Sequence, residues 1–302
     1  MIGTFDDLVR EAGESSQRCI AVAAPASAET FAAIAGALAR LPVRFILAGD
    51  GSTIERGAQE AGCDAARIRI EATAGPASTL AVVTGLAREG EASIIMKGSV
   101  DTASLMRSIL DETSGLRTGR ILSDVFIFEY PPRQGNRFVM ITDGGVTTSP
   151  DLKAKVELIN NAVEVAHRLG NPMPRVAVLS ATEYVTTALT STLDAACLAK
   201  MSDRGQIKGC IVDGPLALDN ALSEEAAREK GIGSQVAGRA EILLAPGIEA
   251  ANSLAKGTTY FGGLRQAHVI VGARVPILIP SRADKSDARL LSMALGMIMC
   301  GP

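Results

Sequence analysis

Ser281, Arg282, Ala283 and Asp284 set a hydroxyl, a guanidinium and a carboxylate within four residues, directly after the apolar run Val275 to Ile279 and Pro280. Such a group can bind an anion and move a proton. A second apolar run, Ile211 and Val212, ends on Asp213, Gly214 and Pro215 and continues through Asp219 and Asn220 to Ala221. In an open α/β sheet the ligand crevice lies beyond the carboxyl ends of the strands, so polar residues fixed there by Gly and Pro form a substrate rim. The same acids can equally cap helices and pin a hinge. Ser93 to Met96 lead into Lys97 and Gly98, and a helix then carries Arg107. A lysine and a glycine at a strand end before a helix N-terminus suit a phosphate; a solvated turn with a surface arginine has the same pattern. Gly115 to Arg120 presents Arg117 and Arg120 between glycines, either a bidentate phosphate grip or a solvent-facing basic turn. Asn252 and Lys256 are one helical turn apart, as a ligand-gripping pair or an i, i+4 pair on a wet face. Gly49, Asp50 and Gly51 lack the third glycine of a dinucleotide loop, which disfavours nicotinamide binding.

These residues need a frame, and the chain alternates short apolar runs with helical patterns. Strands are predicted over Cys19 to Ala24, Arg44 to Ala48, Ser93 to Met96, Ile121 to Phe128, Phe138 to Thr142, Arg175 to Leu179, Gly209 to Val212, Glu241 to Leu244 and Val275 to Ile279. Between them lie helical stretches such as Glu29 to Leu41, Ser78 to Arg88, Asp151 to Leu169, Leu193 to Met201 and Ser223 to Lys230. That order predicts an α/β fold with a largely parallel sheet. Pro150 and Asp151 open one helix and Gly170 closes it before Pro172, the expected asymmetry of helix ends. At 302 residues the chain exceeds one ordinary core, so two domains are expected. Tyr130 to Asn136 reads as a hairpin turn in preference to a linker, which places the hinge after Phe138 to Thr142. Leu290 to Cys300 is too short and too interrupted to span a bilayer and reads as a buried terminal helix.

A net charge of −3, 3% aromatic residues and no Trp leave little to grip or stack nucleic acid. The opening Met1 to Asp7 lacks the order of a signal peptide, so export is not expected. Five cysteines, odd in number and widely spaced, fit reduced thiols in a cytoplasm. Two histidines, His167 and His268, are too few and too isolated to suggest zinc, and their scarcity argues against a histidine base.

Taken in order, Met96, Lys97, Gly98 with Thr102; Gly115 to Arg120; Leu122, Ser123; Thr142 to Gly144; Ser149 to Leu152; Val178 to Ala181 with Glu183; Ser191 to Ala196; Asp213 to Ala221; Val236 to Gly238; Asn252 with Lys256; and Ser281 to Asp284 resemble the phosphate acetyltransferase and phosphate butyryltransferase family. The resemblance covers nearly the whole chain and is closer to the butyryl branch. It implies a two-domain α/β/α fold like that of isocitrate and isopropylmalate dehydrogenases. The C-terminal segment would return to the first domain, giving 1–142 with 283–302 and 143–282, with the active cleft between them. The implied reaction interconverts acyl-coenzyme A plus phosphate with acyl phosphate plus free coenzyme A, usually in a homodimer. No metal or nicotinamide is consumed, and coenzyme A is a substrate. The thiol, with an ordinary pKa of about 8.5, needs a base or an electropositive site. An oxyanion donor such as the Ser281 hydroxyl is typically worth ~3 kcal/mol.

By the resemblance Ser281, Arg282 and Asp284 are catalytic, while Arg107, Arg120, Lys97, Asn252 and Lys256 bind substrate. Two positions depart from the pattern. Acetyl-type members carry an aspartate where Ala288 stands here, so the base is Asp284, which matches the butyryl branch, or Asp287. Butyryl-type members often carry histidine where this chain has Asp124. Competing readings are an acetyl-specific enzyme, a decarboxylating dehydrogenase of the same fold using Asp213 and Asp219, and a coenzyme A or acyl phosphate binding module without turnover.

Overall fold

The computed structural model describes residues 1–131 and 135–301; the middle of the expected hairpin turn, Pro132 to Gln134, lies outside the described residues. In chain order the helices are α1 (Phe5–Glu14), α2 (Ala28–Arg40), α3 (Gly51–Glu60), α4 (Pro76–Arg88), α5 (Thr102–Ile109), α6 (Leu152–Arg168), α7 (Thr190–Asp203), α8 (Leu218–Leu222), α9 (Glu224–Glu229), α10 (Ile248–Tyr260) and α11 (Ser286–Met299). The strands are β1 (Arg18–Ala23), β2 (Val43–Gly49), β3 (Ile68–Ala72), β4 (Ile94–Lys97), β5 (Ser123–Glu129), β6 (Phe138–Thr142), β7 (Arg175–Leu179), β8 (Ile211–Leu216), β9 (Ile242–Leu244), β10 (Gln266–Val271) and β11 (Ile277–Leu278). They divide into a terminal unit, Phe5–Arg120 with Gln266–Pro302, and a central unit, Met1–Thr4 with Ile121–Arg265.

The terminal unit orders its strands β3-β2-β1-β4-β11-β10. β1 runs parallel to β2 and β4, and β11 parallel to β4, while β10 is antiparallel to β11 through Ile270 and Ile277. Ile94, Ile95, Met96 and Lys97 are all buried, the pattern of a strand covered on both faces. Helices start where a side chain satisfies an open N–H: Ser27 caps α2, Asp50 caps α3 and Asp101 caps α5. Gly49, Asp50 and Gly51 are therefore a strand end followed by a helix cap. The apolar stretch after Arg289 forms α11, in which Leu291, Met293, Ala294, Leu295 and Met297 are fully buried. It packs on α1, α2 and β10, and each buried Leu or Met there contributes roughly 1.5–3 kcal/mol.

The central unit orders its strands β5-β6-β9-β7-β8. β5 and β6 form the expected hairpin, antiparallel from Phe126 opposite Ile141 to Glu129 opposite Phe138. β6, β9, β7 and β8 are parallel. Phe126, Phe128, Val139, Ile141, Ala177 and Leu243 meet in one core. Asp151 caps α6 by accepting the Ala154 N–H at 2.7 Å, and Gly170, at φ 86°, closes it as expected.

The α/β class follows the sequence reading, but the unit boundaries fall earlier than the expected 142/143 and 282/283. β6 pairs with β9 and β5 pairs with β6, so the hairpin belongs to the central unit. The C-terminal return likewise begins at Gln266, because β10 pairs with β11 beside β4. Two strands fall outside the expected set. β3 alternates Ile68 and Ile70 with Arg69 and Glu71, which pair at 2.9 Å on an edge strand, so it offers no apolar run. β10 opens on Gln266 and His268, polar side chains that the site below uses. Among the described residues no helix is long and apolar enough to cross a membrane.

Candidate active site

In the terminal unit the chain leaves β11 and closes a tight turn on itself. The Asp284 N–H donates to the Ser281 carbonyl at 3.1 Å, and the Ser281 N–H donates to Asp284 Oδ2 at 2.8 Å. Asp284 Oδ1 accepts from Gln266 Nε2 at 3.1 Å, and His268 Nε2 stands 3.8 Å from Oδ2, within ion-pair reach when protonated. Ser281 and Asp284 are half-buried, whereas Arg282 and Ala283 are exposed. Burial raises the proton affinity of Asp284. His268, the Ser281 N–H and the Arg289 charge outweigh it and hold the carboxyl below its ordinary range. A histidine thus does stand at the site, on β10, although composition argued against one in the chemistry. Asp287 lies exposed in the first turn of α11, and Ala288 follows it.

Lys97 ends β4 and is buried, its Nζ donating to the carbonyls of Gly98 at 3.2 Å and Val100 at 3.4 Å. Burial, followed by the charges of Arg282 and Arg289, pushes its pKa down from the ordinary lysine value, with Asp101 opposing. Lys97 at the end of β4, Arg282 after β11 and Arg289 on α11 therefore act on one another as a cationic cluster. Gly98 is required here: its N–H donates to the Ala23 carbonyl at 2.8 Å, and a Cβ would stand 2.4 Å from the Ala24 carbonyl oxygen. At the start of α5 Asp101 caps the helix by taking the Ser104 N–H at 2.8 Å. Arg107 is exposed on α5 and donates to Ser104 Oγ at 2.7 Å. Arg117 pairs with Glu112 at 3.0 Å, the basic-turn alternative, and Arg120 is exposed at the end of the segment.

The central unit holds a different group. Asp143 is buried after β6 and gathers four backbone N–H donors, from Asp124 at 3.1 Å, Gly145 at 2.9 Å, Val146 at 3.1 Å and Thr147 at 2.8 Å. The neighbouring Gly144 carbonyl accepts from Asn252 Nδ2 at 2.8 Å, which ties α10 to this loop. Lys256 follows exposed on α10, one turn later. Asp124 is buried against Gly145, where a Cβ would come within 2.8 Å of Asp124 Oδ2. Asp213 accepts the Gly214 N–H at 2.8 Å and Asp219 pairs with Lys230 at 3.2 Å, so both acids have local structural partners.

The expected residues thus fall into two sets. Ser281, Arg282, Asp284, Lys97, Arg107 and Arg120 belong to the terminal unit, and Asn252 and Lys256 to the central one. Within the terminal unit the turn and Lys97 come together. Three participants escape a reading of the sequence, Gln266, His268 and Arg289. The signal for Arg289 is an arginine leading directly into Leu290 and Leu291, at a position only 5% exposed. A hydroxyl and a cation cluster beside an ionised carboxylate can hold an oxyanion and stabilise charge that develops on it.

This is the architecture of a phosphotransacylase: the solved branched-chain phosphotransacylase from Enterococcus faecalis V583 superposes with a TM-score of 0.84 and 27% identity, covering 94% of this chain and 99% of that one. The chain belongs to the phosphate acetyl/butaryl transferase family, which matches residues 77–297. It is 42% identical over 299 residues to a phosphate butyryltransferase of Clostridium beijerinckii, covering 99% of this chain and 98% of that protein. It is also 46% identical over 212 residues to a phosphate acetyltransferase of Thermotoga maritima, across 70% of this chain and 71% of that one.

Proposed function

We propose that this protein transfers a short acyl group between coenzyme A and inorganic phosphate, in the manner of a phosphate butyryltransferase. The observation that carries the reading is the Ser281–Asp284 turn set beside buried Lys97, within a chain whose full length matches that family. Arg282 and Lys97 hold phosphate, with Arg107 and Arg120 as further phosphate contacts and Asn252 and Lys256 gripping coenzyme A. The Ser281 hydroxyl faces the carbonyl oxygen as negative charge develops there. In the acyl phosphate direction phosphate attacks the thioester carbonyl, the C–S bond breaks, and the thiolate takes a proton. In reverse the thiol must lose one. Moving a proton from a thiol of pKa about 8.5 to an ordinary aspartate costs about 6 kcal/mol, and Asp284 lies below the ordinary range. The cationic cluster must therefore stabilise the thiolate for Asp284 to receive that proton.

The reaction balances without a resident metal or cofactor, coenzyme A being a substrate. The same proposal includes a homodimer and a cytoplasmic location, the latter supported by five scattered cysteines. Phosphate-dependent release of thiol from acetyl-, propionyl-, butyryl- and isobutyryl-coenzyme A tests the activity and ranks the chains. A preference for the four-carbon substrates places the enzyme in the butyryl branch, and a preference for acetyl places it in the other. Tight coenzyme A binding with no release from folded protein would leave a binding module.

A further inference from the structure

We propose that Arg289 is the positioning residue of the Ser281–Asp284 turn, its guanidinium fork setting the direction of both ends of that turn and hence where the Ser281 hydroxyl and the Arg282 guanidinium stand. The inference deepens the acyl-transfer reading and rests on it. Arg289 Nη2 donates to the Ser281 carbonyl at 2.9 Å, Nε to the Asp284 carbonyl at 3.1 Å, and Nη1 to Thr30 Oγ1 at 3.4 Å. Burying a guanidinium carries a desolvation cost, yet these three bonds go to neutral oxygens. What the fork gains is geometry: two planar donors reach the first and last carbonyls of one turn, and the third reaches α2. Glu29, beside Thr30, accepts the Ser286 N–H at 2.9 Å and fastens the start of α11 to the same helix. The turn is therefore held from inside by Asp284 and from below by Arg289, while its exposed middle carries Arg282.

A lysine at 289 keeps the charge and loses the fork, because a compact ammonium does not reproduce fixed planar donors. Arg289→Lys and Arg289→Ala separate the two contributions. The charged and titratable groups around the cluster are Asp284, His268, Lys97, Arg282, Asp101 and Glu29. For Arg289→Lys we expect kcat to fall ~10²-fold, the scale of a displaced catalytic geometry, with the KM for acyl-coenzyme A changed by less than about threefold. Hydrogen exchange at the Ser281 and Asp284 amides should quicken about tenfold while β1 and β4 keep their protection. The acid limb of the pH–rate profile should move up in Arg289→Ala and stay in place in Arg289→Lys, and guanidinium ion should restore part of the activity of Arg289→Ala. Wild-type kcat in folded Arg289→Lys, or exchange that quickens uniformly across the unit, overturns the proposal. If Arg289→Ala does not fold, Arg289→Lys decides alone. If the wild-type protein releases no thiol, the acyl-transfer reading has failed, and local exchange in Arg289→Lys still tests the clamp.

Discussion

Asp143 accepts the backbone N–H of Asp124 at 3.1 Å, while the nearby Asp124 carboxylate raises the cost of ionising Asp143. Burial first, then the Asp124 charge, lift Asp143 above the ordinary carboxylate range, against the pull of the Gly145, Thr147 and Asp124 N–H groups. A carboxyl whose folded pKa exceeds its unfolded one stabilises fully below the unfolded value, and that contribution is lost as pH rises through the folded one. Asp124→Asn removes the second cause in nearly the same shape. Its urea midpoint should therefore decline less than that of the wild type as pH rises from about 4, the unfolded carboxylate value, towards neutrality. Parallel midpoint curves for the two proteins would show that the Asp124 charge is not felt.

Arg282 is exposed and contributes to the cationic cluster rather than to the core. Arg282→Ala should leave the melting temperature near the wild-type value and lower kcat by ~10² or more, the scale seen when one donor to a developing oxyanion is removed, and should raise the KM for phosphate. Rates equal to wild type would remove Arg282 from the phosphate site.

Lys155 on α6 reaches Asp194 on α7 at 2.5 Å, with the lysine side chain 5% and the aspartate 22% exposed. Deleting one member of a buried pair strands the other, typically at 3–5 kcal/mol. Because Asp194 retains some water, Lys155→Met should cost about 3 kcal/mol in urea unfolding. Replacing both, as Lys155→Met with Asp194→Leu, should recover part of that loss. A double variant no more stable than the single one would mean that the pair is not what Lys155→Met removes.

The features legible in the sequence are those written locally. β1 and β4 are built on short apolar runs, Cys19 to Ala23 and Ile94 to Met96, the Ser281–Asp284 turn keeps its three functional groups adjacent, and Asp151 with Gly170 marks both ends of α6. What stayed hidden depends on partners far away in the chain. Arg289 leads into Leu290 and Leu291, which marks its burial, but it acts by donating to backbone carbonyls, which every residue possesses, so no residue pattern names its partners. Gln266 and His268 matter only because β10 returns, antiparallel to β11, to a sheet whose strands β1 to β4 lie far earlier in the chain. Asp101 adds a feature the sequence reading left out: beside the lysine and glycine, its carboxylate caps the start of α5 by taking the Ser104 N–H.

Gly98 and Gly85 make a matched comparison, because one glycine is boxed in and the other is not. A Cβ on Gly98 would stand 2.4 Å from the Ala24 carbonyl oxygen and 2.6 Å from that of Ala23, backbone atoms at the end of β1 that cannot swing aside. Those carbonyls also receive the Gly98 and Ser99 N–H groups, each at 2.8 Å, so relief of the clash breaks the bonds that fix the residue after Lys97. Gly98→Ala should therefore cost roughly 1–3 kcal/mol, the usual range for overpacking, and lower kcat by about tenfold or more as Lys97 moves with the loop. Gly85 lies inside α4 with nothing within 4 Å of a built Cβ. Gly85→Ala should stabilise by up to about 1 kcal/mol through helix propensity alone, with kcat unchanged. Thermal melts and initial rates on both variants check the pair, and a Gly98→Ala protein as stable and as active as Gly85→Ala would refute the close approach that holds Lys97 in place.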